Sequence, residues 1–252
     1  MDAVSGLLAA IPIDNPFKRK HMSLIICVYV PTGVVISGDS RTTGTTTQTQ
    51  PDPQNPANQI TVQTNIKLSD STHKVFKLFD RFGIATFGDA HIQNLPIAHY
   101  IEQFENTTPA PQTTQNLVTS LLTYFRNFNP IPRTGFVVSG FDNNLPFVYS
   151  IDVFGNTSNR HNLANNNLDY GILRGGDINI VDRLLNNPQL NPAFQVMSLQ
   201  DAVDFSRHLI RATIDQMRFE PRYPTVGGEI DTLVLTSKGT SFLQRKELNV
   251  AQ

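Results

Sequence analysis

The chain contains 252 residues, which suits one large domain or two small ones. It carries 20 Lys and Arg against 21 Asp and Glu, a net charge of -1, so it has no electrostatic reason to bind nucleic acid or an anionic membrane. Hydrophobic residues make up 39%, enough for a core, which excludes global disorder. The chain has a single cysteine, Cys27, which excludes an internal disulfide and a metal site built on paired cysteines, and which favours a location in the cytoplasm. No apolar run is long enough to span a membrane.

The first 22 residues differ from the rest of the chain. Their apolar stretch, residues 6–13, precedes the basic residues 18–20, whereas a secretory signal has the opposite order. We therefore interpret residues 1–22 as an N-terminal extension or a propeptide, or as sequence upstream of a true translation start at Met22. Residues 23–252 are predicted to form a single domain.

The first half of this domain is predicted to alternate hairpins with helices. Residues 24–30 and 34–37 are rich in β-branched side chains, and because they flank a turn signal at residues 31–33 they predict a β-hairpin. Residues 42–66 are rich in Thr, Gln, Asn and Pro, so we expect an exposed loop insertion with a short ribbon at residues 59–66. The following elements are a second hairpin, residues 74–79 and 82–87, and two helices, residues 90–104 and 114–128.

The second half of the domain is also predicted to alternate strands with helices. Its predicted elements are strands at residues 135–140, 146–153 and 170–173, helices at residues 177–185 and 197–217, and strands at residues 230–236 and 241–248. Ser198 is the expected N-cap of the long helix, with Asp201 three residues later. Paired strands followed by paired helices predict an α+β fold, a four-layer αββα sandwich of two mostly antiparallel sheets.

The motif that carries chemistry lies at the start of the domain. Residues 23–41 read SLIICVYVPTGVVISGDSR. This stretch resembles the mature N-terminus of proteasome β subunits and their bacterial relatives, a branch of the N-terminal-nucleophile hydrolases. Gly33 follows Ser23 by ten residues and Asp39 follows Gly33 by six, as in the family, so Ser23 falls on the position of its nucleophile.

The resemblance extends along the chain. Lys74 falls on the catalytic lysine, and Gly88, 14 residues later, falls on the glycine of the oxyanion hole. The resemblance also implies that Thr42, Thr43 and Ala90 bind the substrate backbone, that Thr86 forms the floor of a specificity pocket, and that Arg41 braces the structure. It implies a ring or helical homo-oligomer, and no metal or organic cofactor.

Each implied role has a chemical reason. A serine hydroxyl needs a base, and a free α-amine with a pKa near ~8 can supply one on the same residue. A charged lysine held by Asp39 lowers the pKa of that amine, and a glycine lets its N–H approach a substrate carbonyl oxygen. The implied reaction is peptide or amide hydrolysis through an acyl-Ser23 ester. It requires Ser23 to be the first residue, and because Met22 replaces the usual glycine we favour a start at Met22 over self-cleavage.

The sequence also departs from the family in the residues that support the amine. Tyr223 stands in place of an aspartate and Val226 in place of a serine, and a second serine is replaced near Asp177, which we expect to substitute in part. The irregularly spaced histidines, His73, His91 and His99, are interpreted as surface or packing residues. Two alternatives stay open: a non-catalytic structural subunit of a proteasome-like assembly, and a non-proteolytic amidase or peptide ligase.

Overall fold

The computed structural model describes residues 23–55, 57–187 and 192–246. The predicted N-terminal extension, residues 1–22, and the end of the last predicted strand, residues 247–248, lie outside these ranges. The helices are α1 (Ile97–Thr107), α2 (Thr114–Arg126), α3 (Asn179–Leu185) and α4 (Leu199–Met217). The strands are β1 (Leu24–Val30), β2 (Gly33–Gly38), β3 (Thr42–Pro51), β4 (Gln59–Ser69), β5 (Val75–Leu78), β6 (Phe82–Gly88), β7 (His91–Ile92), β8 (Leu95–Pro96), β9 (Thr134–Asp142), β10 (Leu145–Asp152), β11 (Thr157–Arg160), β12 (Leu163–Ala164), β13 (Asn167–Leu168), β14 (Gly171–Gly176), β15 (Asp231–Thr236) and β16 (Gly239–Gln244).

The prediction of a four-layer αββα sandwich is wrong. The described strands form five separate sheets: two of five strands, ordered β14-β1-β2-β15-β16 and β11-β10-β9-β6-β5, and three two-stranded ribbons. The ribbons arise where short turns let a segment pair with itself instead of joining a larger sheet. Residues 42–66, expected to form a loop insertion with a short ribbon at residues 59–66, belong to the longest of these ribbons, since β3 pairs with β4 along its whole length.

The two five-stranded sheets are antiparallel throughout their described pairings and enclose apolar side chains. Ile25 and Ile36 from the first sheet share one buried cluster with Val75, Ala85 and Val137 from the second. Helix α4 contacts β1 and β2, and helix α2 contacts β9 and β10. Each helix thereby covers a further apolar cluster on its own sheet.

Local sequence signals explain most element boundaries. Ser198 and Asp201 form the predicted capping box at the start of α4, with Ser198 Oγ accepting from the N–H of Asp201. The first helix starts later than predicted, at Ile97, because Gln93 and Asn94 take up positive φ and close the small β7–β8 hairpin in front of it.

The strand registers bring several strand ends to one place. Leu24 pairs with Gly176, and Gly38 pairs with both Ile25 and Asp231, so the ends of β1, β2, β14 and β15 meet at one end of the first sheet. The N–H of Thr86 donates to the carbonyl oxygen of Lys74, which holds the end of β6 beside the start of β5. The residues after Asp39, before Val75 and at Gly88 are thereby gathered into one region.

Candidate active site

Ser23 lies at the beginning of β1 and is almost fully buried. Its carbonyl oxygen accepts a hydrogen bond from the N–H of Asp177 at 2.7 Å. Gly176 has φ +93°, and a Cβ at this position would collide with the Ser23 carbonyl. Only glycine lets the two strands approach so closely, and the approach fixes the backbone of Ser23.

The carboxylate of Asp39 is the anchor of the site. Its Oδ1 accepts from the N–H of Leu24 at 2.8 Å and from Nζ of Lys74 at 2.7 Å, and its Oδ2 accepts from the N–H groups of Gly227 and Arg41 at 2.9 and 3.1 Å. Asp39 is 1% exposed. It therefore joins the residue after Ser23 to the segment before β15 and to the ammonium group of Lys74.

Lys74 is the buried cation of the site. Its Nζ donates to Asp39 Oδ1 and, at 2.5 Å, to the carbonyl oxygen of Arg41. Burial lowers the pKa of Lys74, while the charge and hydrogen bond of Asp39 oppose this shift; Lys246 and Arg41 add smaller downward contributions. The ion pair is thus enclosed in the protein, where a charge acts more strongly on its neighbours than in water.

Gly88, at the end of β6, has φ +98°, and a Cβ there would collide with the carbonyl oxygen of Arg133. The next residue, Asp89, exchanges two hydrogen bonds with the Arg133 backbone, donating its N–H and accepting on Oδ2. The fold therefore requires a glycine at this position. This steric requirement does not test the predicted role of Gly88 in an oxyanion hole, which stays a prediction.

Ser23, Lys74 and Gly88 line the same cleft, which has a volume of about 230 Å³ including space open to solvent. The other residues along its wall are Thr42, Thr72, His73, Thr86, Phe87, Asp89, Ala90 and Ile97. The structure thus brings together most of the predicted substrate-binding residues. Thr43 is buried and pairs with Lys67 in the β3–β4 ribbon, and it does not line the cleft.

Arg41 points away from the cleft. Its guanidinium group donates to both carboxylate oxygens of Asp70, at 2.6 and 3.1 Å, and to the carbonyl oxygen of Pro224 at 3.3 Å. It packs so closely on Gly227 that any side chain there would collide with it. These contacts hold β3, β4 and the segment before β15 together, which suits the predicted bracing role.

Val226 and Asp177, which stand at or near the altered supporting positions, make different contacts. Val226 belongs to the apolar cluster under α4. The carboxylate of Asp177 is taken up by Arg222 at 2.5 Å, Thr225 at 2.7 Å and the side chain of Asn179 at 3.2 Å. Asp177 contacts Ser23 through its backbone N–H and not through its carboxylate. Its support of Ser23 therefore consists in holding the Ser23 backbone in place.

A second polar cluster, missed at the sequence level, lies beside the first. His73 lines the cleft, and its Nδ1 is 3.6 Å from Oδ2 of the buried Asp231. Lys246 donates from Nζ to Asp231 Oδ2 and to Ser40 Oγ. Burial and Lys246 lower the pKa of His73, which Asp231 opposes. The sequence feature that could have indicated this cluster is the predicted last hairpin, because it places Asp231 opposite the basic residues 245 and 246.

Two further features concern metals and membranes. Within residues 23–55, 57–187 and 192–246, no group of three or more His, Cys, Asp or Glu side chains is arranged to hold a metal. None of the helices in those ranges has both the length and the apolar character needed to cross a bilayer. Cys27 is fully buried in the core, and burial raises the pKa of its thiol.

Comparisons with known proteins show a fold and no family. No family model matches the chain, and no curated protein matches it. Among solved structures, the chain is similar to a Gly-1 mutant of Anbu from Hyphomicrobium sp. strain MC1, with 14% identity over 91% of this chain and 88% of that chain and a TM-score of 0.59. At this identity the likeness shows the fold alone. The assignment to the proteasome β-subunit-like family is therefore wrong as a statement of family, and a fold-level likeness to Anbu takes its place.

Proposed function

We propose that this protein hydrolyses peptide or amide bonds, with Ser23 as an N-terminal nucleophile. The observation that carries the proposal is the buried Asp39–Lys74 pair, whose lysine lines the same cleft as Ser23 and Gly88. A buried lysine paired with one carboxylate beside a serine at a strand start is an arrangement that can activate that serine.

The reaction requires a chain that begins at Ser23. The free α-amine of Ser23 takes the hydroxyl proton while Oγ attacks the carbonyl carbon of the scissile amide, and the negative charge develops on the carbonyl oxygen. The amide C–N bond then breaks, the proton passes to the leaving amine, and an ester joins the acyl group to Oγ. Water hydrolyses the ester, releasing a carboxylic acid and restoring the serine.

The surrounding residues have distinct parts in this scheme. Lys74 keeps the α-amine unprotonated by like-charge repulsion, and Asp39 keeps Lys74 charged and in place. The N–H of Gly88 stabilises the oxyanion, a contribution of roughly 3 kcal/mol for one such donor. Thr42, Thr86 and Ala90 hold the substrate along the cleft wall.

The fold likeness to Anbu supports a proteasome-like N-terminal-nucleophile hydrolase relationship at low identity, without assigning a reaction. It also favours assembly of several copies, and the predicted ring or helical homo-oligomer stays a prediction. The cytoplasmic location is likewise a prediction.

The test is cleavage of fluorogenic peptide amides by the chain beginning at Ser23, compared with Ser23→Ala and Lys74→Met. We expect both substitutions to reduce kcat/KM by at least about 100-fold. Lys77→Met is the matched control, because Lys77 lies three residues after Lys74, on β5, and pairs with the exposed Asp80. Equal cleavage by Ser23→Ala and the unsubstituted chain would exclude the mechanism.

One observation favours a non-catalytic alternative. Asp39 also binds three backbone N–H groups, so the buried pair has a structural purpose even without chemistry. In that case no cleavage occurs although the fold is intact. Adding an amine acceptor to the same assay distinguishes a peptide ligase from a hydrolase, since in a ligase the acyl-Ser23 ester passes to the amine in place of water.

A further inference from the structure

Several residues that line the cleft carry hydroxyl groups. Thr42, Thr72 and Thr86 all line it, together with Ser23. Thr42 Oγ1 donates to Thr72 Oγ1 at 2.7 Å, so the Thr72 hydroxyl retains a proton that it can donate. The apolar part of the wall is provided by Ala90 and Ile97.

Thr86 is the residue that points to a ligand. It is 3% exposed, and its Oγ1 is buried without a hydrogen-bond partner among the described residues. A buried hydroxyl without a partner is costly to the fold, and its retention at the wall of a binding cleft indicates that a bound molecule supplies the partner. Valine would fill the same space with no unsatisfied group.

The charges around the cleft disfavour an ionised ligand group. Lys74 is already neutralised by Asp39, so an anion gains little from it and must lose its water beside the threonines. Among the residues that line the cleft, the carboxylate available to a cation is that of Asp89. Asp89, the acidic residue of the wall, is exposed and has Oδ2 engaged by the N–H of Arg133, so its charge is screened.

We infer that the cleft receives a short, uncharged, hydrogen-bonding side chain, with an asparagine carboxamide as the best match, on the acyl side of the bond that is cleaved. This inference rests on the proposed function. A carboxamide offers one acceptor and two donors, which complement a hydroxyl that lacks a partner and a second hydroxyl with a proton to donate.

Two peptide amides that differ only by Asn or Leu at the acyl position provide the test, because these side chains have nearly the same shape. We expect kcat/KM to favour the Asn peptide by about 10-fold or more, since a site that hydrogen-bonds its substrate rejects the apolar analogue. Thr86→Val should reduce the ratio to less than about 3-fold or reverse it. Thr114→Val is the matched control, because Thr114 also has a buried hydroxyl without a partner in the described chain, far from the cleft.

Peptides with Lys and Glu at the same position complete the series. A preference for Leu, Lys or Glu over Asn, or a ratio unchanged by Thr86→Val, would overturn the inference. If no peptide is cleaved, the proposed function has failed. The inference about the cleft is then tested separately, by measuring the affinities of the Asn and Leu peptides for Ser23→Ala by calorimetry. Tighter binding of the Asn peptide that is lost in the Ser23→Ala, Thr86→Val double variant supports the inference; equal binding contradicts it.

Discussion

At the scale of the residue, Asp39 determines the geometry around Ser23. Its two oxygens receive three backbone N–H groups and one ammonium group, and both the acid and its lysine partner are buried. A carboxylate that holds together three segments of chain and a cation is sensitive to small chemical changes, even those that preserve its shape.

We predict that Asp39→Asn lowers the free energy of unfolding by about 3–5 kcal/mol. The amide places a donor among four donors and leaves Lys74 as an uncompensated buried charge. Denaturant unfolding measures the change. Asp70→Asn is the control, since Asp70 is partly exposed and its pairs with Arg41 and Lys67 should contribute less than about 1 kcal/mol. Equal effects of the two substitutions would show that Asp39 is not an anchor.

The second residue-scale prediction concerns His73, whose surroundings include Asp231, Lys246 and Arg245. Burial and the two cations lower its pKa below the usual 6.5, so the folded protein binds this proton less readily than the unfolded chain. Stability should therefore fall as the pH drops below about 6.5. Histidine NMR titration should give a pKa under 6.5 for His73.

The matched variant is His73→Gln, which should remove part of that acid destabilisation. His161, whose pKa is also lowered by burial, should retain its own share. A His73 that titrates above 6.5 would show that Asp231 outweighs burial.

At the scale of the element, the β3–β4 ribbon shows what the sequence pattern can and cannot predict about a pair of strands. Residues 42–66 were expected to lack core-forming periodicity, yet Ile60, Val62, Ile66 and Leu68 alternate along β4 on one face of the ribbon. The alternation was legible in the sequence and was obscured by the surrounding Thr, Gln and Asn. The ribbon beyond Gly44 is mostly exposed, so its residues add little to the core.

We predict that the outer ribbon can be removed without loss of the fold. Thr45 pairs with Asn65, so replacing residues 46–64 by Asn-Gly closes the remaining strands with a two-residue turn. The melting temperature should change by less than about 4 °C. Leu121→Ala, in the fully buried core, should lower it clearly and shows the sensitivity of the assay. A shortened chain that no longer unfolds cooperatively would show that the ribbon is part of the core.

Other elements show why some boundaries were predictable. The run Leu24–Val30 is fully buried and β-branched, and its strand was predicted with the same bounds. The Ser198–Asp201 box likewise marks the start of α4 from local chemistry alone. The start of α1 was not predictable in this way, because residues 91–96 form a hairpin through left-handed Gln93 and Asn94 within a helix-like apolar pattern.

At the scale of the whole molecule, contacts between distant segments decide the site. The spacing of Lys74 and Gly88 was sufficient to place both at one cleft, since a single hairpin carries them. The cluster of His73, Asp231, Lys246 and Ser40 joins four segments: the predicted last hairpin brings Asp231 and Lys246 together, but no local pattern predicts that His73 and Ser40 join them. The distribution of strands over five sheets was also beyond reach, because it depends on which segments pair with themselves.

The most direct measurement is mass spectrometry of the protein from its native host after treatment with a peptide epoxyketone. Such a probe bonds to the hydroxyl and the α-amine of one residue, so it tests both groups of Ser23 together. We expect a chain that begins at Ser23 and carries one probe on that residue, with no adduct on Ser23→Ala. A chain that retains residues 1–22 and stays unmodified would contradict the catalytic proposal and leave the buried Asp39–Lys74 pair as a structural feature.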